Sequence, residues 1–94
     1  MRVNIAQVQS FRLFDRRGDE LKIVTFERDT FAQKQDSFKM KKVTQRGRII
    51  HAENVTEEFA KTVLEQALIC LPKDDLEITK RSAGTQFNYS TRTF

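Results

Sequence analysis

Residues 56–71 constrain this chain more than any other stretch, because they spell a single one-sided helix within an otherwise strand-patterned sequence. Val55, Phe59, Ala60, Val63, Leu64, Ala67, Leu68 and Leu71 recur at spacings that put apolar side chains on one helical face. Glu57, Glu58, Lys61, Thr62, Glu65 and Gln66 occupy the other face. Thr56 is a natural N-cap, and Asn54 is an alternative that would place Glu57 at the capping-box spacing. Pro72 stops the helix because it has no amide hydrogen to donate. One amphipathic helix without a second helix to pack on needs a sheet. The expected fold is α+β: a single antiparallel sheet of five or six strands, in the order ββ-ββ-α-ββ, with one long helix on one face.

The strands come from shorter patterns. Residues 3–14 read as a strand whose alternation slips, which a bulge near residues 8–10 would reconcile. Asp15-Arg16-Arg17-Gly18 makes a turn, and residues 21–28 return as a strand rich in β-branched and aromatic side chains. Residues 29–37 read as a loop or one helical turn. Residues 38–46 and 48–52 form a second hairpin, turning at Gln45-Arg46-Gly47-Arg48. Neither side of its first arm is cleanly apolar, so that arm is expected to be an edge strand or an extended arm. Residues 76–81 and 86–93 form the last pair, turning at Ser82-Ala83-Gly84. The 94 residues make one domain, 1–94, with no internal repeat.

Several function classes recede on composition. Cys70 is the single cysteine, so an intramolecular disulfide is excluded, and its apolar neighbours Ile69 and Leu71 suggest a small core residue rather than a nucleophile. His51 is the single histidine, so a zinc site lacks ligands; a strand-end residue explains it better than a general base. Asp75, Glu77 and Lys80 resemble the acid-plus-lysine clusters of metal-dependent nucleases, but the spacing differs, and a solvated strand face explains them. The glycines are isolated, so no phosphate-cradling loop is present. The chain is therefore expected not to be an enzyme, and to need no cofactor or metal. No run approaches the roughly 20 apolar residues of a membrane span, and residues 1–10 lack a secretory pattern. A cytoplasmic protein is expected.

Charge distribution says more than the net charge of +4. Residues 37–52 carry five basic groups and no acid, whereas residues 53–77 carry seven acids against Lys61 and Lys73. Lys39, Lys41, Lys42, Arg46 and Arg48 lie within ten residues, with Phe38 beside them. Lys80, Arg81 and Arg92 flank Phe87 and Tyr89 on the last hairpin. Basic groups neutralise phosphates, and exposed aromatics stack on single-stranded bases. If the two hairpins are neighbours, these ten residues form a basic face for DNA or RNA. The competing explanation is that Phe87 and Tyr89 pack under the helix while the lysines protect a sheet edge. A second reading makes the chain an accessory or inhibitor protein that docks on a larger protein. It would do so through acidic Glu57, Glu58, Glu65, Asp74 and Asp75 or through a sheet edge, and the edge offered by the Thr- and Ser-rich carboxyl terminus would also allow a homodimer. The order of elements resembles several small sheet-plus-helix folds, some of which bind single-stranded nucleic acid; that likeness transfers no residues.

Overall fold

Thr56 ends a strand and starts a helix in one step. Its backbone is extended, while its hydroxyl accepts the Phe59 amide at 3.1 Å, which selects it over Asn54 as the cap. Helix α1 (Glu57–Cys70) follows, with Glu57 and Glu58 in the first turn, where the helix dipole favours carboxylates. A computed structural model describes residues 3–29, 37–81 and 87–89. Around α1 they hold strands β1 (Val8–Asp15), β2 (Lys22–Arg28), β3 (Ser37–Thr44), β4 (Ile49–Thr56), β5 (Leu76–Lys80) and β6 (Phe87–Tyr89). All pair antiparallel in one sheet ordered β4-β3-β2-β1-β5-β6. The α+β architecture read from the sequence is the one observed.

The helix side of the sheet holds the core. Phe11 faces Phe26 across β1 and β2, and the rings stack at 4.7 Å. Val8, Phe38, Leu76 and Ile78 are buried beside them, and Ala60, Leu64, Ala67 and Leu68 come down from α1. Burial of each large side chain contributes roughly 1.5–3 kcal/mol. Arg28 sits within this side: its guanidinium donates to the Ile5 and Val8 carbonyls, lies 4.6 Å from the Phe38 ring centre, and meets Glu57 at 3.5 Å. A desolvated cation is tolerated there because its donors and its charge are matched.

Several expectations are corrected. The segment before β1 is not strand throughout: Ile5–Gln7 is a 3₁₀ turn, because the Asn4 side chain accepts the Ala6 amide and the Asn4 carbonyl accepts that of Gln7. The expected bulge is present, as a register shift between Val8 and Ser10. β3 is no edge strand, since it pairs with β2 on one side and β4 on the other. The edge is β4, which runs on to Thr56 rather than ending at Ala52. Cys70 is exposed, not buried, and Phe59 is 47% exposed, because the helix points Leu64, Ala67 and Leu68 inward and turns these two toward its flank. The expected loop at 29–37 and the turn at 82–84 fall mostly outside the described residues, as does the end of the last strand.

Candidate nucleic-acid interface

Directly opposed residues of an antiparallel pair share a face, so the register sorts every strand residue by side. With Phe11, Phe26 and Phe38 turned to the helix, their neighbours in sequence line the other face. Ser10, Glu27, Lys39, Asn54 and Thr79 form one row across it. Arg12, Thr25, Lys41, Ala52 and Glu77 form a second, and Phe14, Ile23, Val43 and Ile49 a third. None of these residues is buried, so this face is open along its length. Its middle is a shallow trough in which Ser10, Thr25 and Thr79 are the short side chains and Arg12, Glu27, Lys39 and Lys41 the long ones.

The basic hairpin divides between this face and its own tip. Lys39 and Lys41 are exposed on the open face. Lys41 lies between Thr25 and Ala52, whereas Lys39 has Glu27 as a cross-strand neighbour. Arg46 and Arg48 are exposed at the tip, a tight reversal in which the Thr44 carbonyl accepts the Gly47 amide at 2.9 Å. Gly47 takes φ +90°, a conformation that costs other L-residues strain. The Arg48 amide is held by the Thr44 hydroxyl at 3.1 Å, which leaves both guanidinium groups pointing off a fixed backbone. No ion pair involves Lys39, Lys41, Arg46 or Arg48 among the described residues. Lys42 lies on the helix side, between Val24 and His51, and so turns away from its neighbours in sequence. Phe38, beside the cluster in sequence, is fully buried and has no ring face to offer a base.

The second basic segment is elsewhere. β3 and β5 are separated by β2 and β1, about 14 Å at the usual strand spacing, so the two hairpins are not neighbours. Lys80 shares the side of Ile78 and pairs in register with Val8 and Phe87. Arg81 is tied to the amino-terminal turn, its amide donating to the Gln7 carbonyl and its guanidinium to that of Ala6. Phe87 and Tyr89 stand opposite Lys80 and Ile78 on β6, and Arg92 lies outside the described residues. Sequence reasoning missed Arg12 instead. Its alternation with Phe11 and Leu13 marks it as outward-facing, and on the open face it pairs with Glu77 at 2.6 Å and lies 5.7 Å from the Phe14 ring centre.

Carboxylates of the helix region are largely engaged within the fold. Glu57 meets Arg28, Glu65 accepts the Val3 amide at 3.1 Å, and Asp75, buried, accepts from Arg16 at 2.8 Å. Glu58 and Asp74 remain exposed. Asp75, in the turn before β5, and Glu77, on β5, are each held by a different arginine, Arg16 and Arg12, which separates the cluster that resembled a nuclease centre. His51 is exposed and hydrogen-bonded to Glu53 at 3.0 Å. At the β1–β2 turn the Arg17 guanidinium, with the Arg17 amide second, holds the Asp15 carboxyl well below the usual carboxylate range. No three-ligand group of His, Cys, Asp and Glu stands among the described residues, and none of their helices is long and apolar enough to cross a membrane. No family model, curated protein or solved structure matches the chain.

Proposed function

We propose that this chain is a non-catalytic binder of single-stranded nucleic acid, which lies along the open face with its phosphates toward Lys39, Lys41, Arg46 and Arg48. The observation behind this reading is the placement of Lys39 and Lys41. On an interior strand they have no edge to protect, and neither forms an ion pair among the described residues; Lys41, set between Thr25 and Ala52, has no acid across either strand. The Phe14, Ile23, Val43 and Ile49 row supplies apolar surface for bases beside the cations, while the hydroxyls of Ser10, Thr25 and Thr79 supply hydrogen bonds. A flat, open face suits an extended strand better than a duplex, into whose grooves only the hairpin tip would reach.

Fluorescence anisotropy with labelled single- and double-stranded DNA and RNA, titrated across salt, tests the proposal. Four neutralised phosphates on a single strand predict a log–log salt slope of about −2.8. Lys41→Glu and Arg48→Glu each weaken binding about tenfold or more while leaving the melting temperature within a few degrees. Absence of binding at low salt ends this reading. Binding that ignores both substitutions but falls with Glu58→Lys moves the site to the helix.

A further inference from the structure

Among the described residues β4 is an edge strand with its far side unpaired, and it carries few of the usual defences. Between Ile49 and Thr56 there is no proline, lysine or arginine, and every residue but Val55 is exposed. The one irregularity is the register shift that leaves Ile50 without a partner, at the end near the hairpin tip; His51 to Thr56 run regularly. Such an edge is a template for another strand. Ile49 and Ile50 are 57% and 48% exposed at its end, a further cost to the monomer.

We infer that the partner is a second copy of this chain, with β4 pairing antiparallel to β4 of the other copy about a two-fold axis through Ala52. The choice of residue follows from symmetry and charge. Opposed residues must share a face, so the axis falls on a residue and never between two. An axis at Glu53 sets two carboxylates directly against each other, and one at His51 sets imidazole against imidazole. An axis at Asn54 sets each Glu53 against a valine. Centred on Ala52, His51 of each copy faces Glu53 of the other, and two small Ala52 side chains meet on the axis.

His51 and Glu53 already meet at 3.0 Å within one chain, so pairing places each carboxylate between its own imidazole and that of the second copy. On β3 the groups beside this cluster are Lys42, opposite His51, and Met40, opposite Glu53, which adds a cation and no further acid. The product is a continuous sheet of twice the width with both helices on one side and both open faces on the other. This inference is independent of the nucleic-acid reading and stands or falls without it.

Sedimentation equilibrium at about 100 μM protein, enough to populate a weak complex, reports the dimer directly. Glu53→His and His51→Glu, made singly, each place like groups across the axis twice and weaken the dimer on the order of tenfold. The double variant, His51→Glu with Glu53→His, restores the pairing in reversed order and brings the dimer back. In a Cys70→Ser background, Ala52→Cys oxidises to a covalent dimer, whereas Asn54→Cys does so far less. Thermal melts confirm that these exposed substitutions leave the fold intact. A monomer at that concentration overturns the inference, as does a dimer insensitive to all these changes or one cross-linked better at residue 54.

Discussion

The two faces of this sheet are made by the same strands and obey different rules. On the helix side, Phe11, Phe26, Phe38, Leu76 and Ile78 are buried to within 2% of completeness, and even the charged Arg28 has its donors matched. On the open side the same strands present Arg12, Thr25, Lys39 and Lys41, none of them buried. Residues one position apart thus belong to different problems, stability on one side and, in the proposed function, recognition on the other. Lys41 and Lys42 illustrate this: adjacent and identical in sequence, they stand on opposite faces, and Lys41 alone belongs to the proposed site.

Substitutions that cross this division have effects of very different size. Leu64→Asp, which buries a carboxylate with no partner, should abolish the cooperative thermal transition seen by circular dichroism. Phe38→Ala should cost about 3–5 kcal/mol in urea unfolding, and Phe14→Ala on the open face far less. Equal losses would mean that something covers the open face. Thr56→Ala removes the cap at the strand-to-helix junction and should cost about 1 kcal/mol in the same assay.

The smallest effect belongs to Asp15, whose lowered carboxyl pKa stabilises the fold above the ordinary carboxylate range near pH 4 and loses that contribution as pH falls. Asp15→Asn should therefore lower the melting temperature slightly at pH 7 and by clearly less at pH 2, where the contribution is only partly lost. A loss of equal size at both pH values would assign the effect to the hydrogen bond rather than to charge. Water screens this exposed turn, so the shift should stay small.

Local pattern carried the reading of α1, the first two hairpins and the β1 bulge, because each depends on residues within one or two turns of chain. The Thr56 cap, Pro72 and Gly47 each act on their own backbone. The reading failed where a strand's neighbours mattered. β3 looked like an edge because lysines interrupt its alternation, yet Lys39 and Lys41 follow from one face being open, and Lys42 stands on the helix side between two paired strands. Cys70 looked buried because Ile69 and Leu71 flank it, but adjacent helical residues point about 100° apart, and Leu71 alone turns toward the sheet. The basic residues of the two hairpins looked like one surface because both hairpins are basic; strand order sets them at different parts of the sheet.

Sequence by itself determined one helix, its ends, and an antiparallel layer to receive it, since periodicity and capping act through bonds a few residues long. Tertiary structure decided that β5 returns beside β1 rather than beside β4. That long-range pairing leaves β4 as an exposed edge and assigns each lysine to a face. No local pattern encodes it, because the free energy that selects it comes from burying Phe11, Phe26, Ile78 and Leu64 together, residues brought into contact from distant parts of the chain.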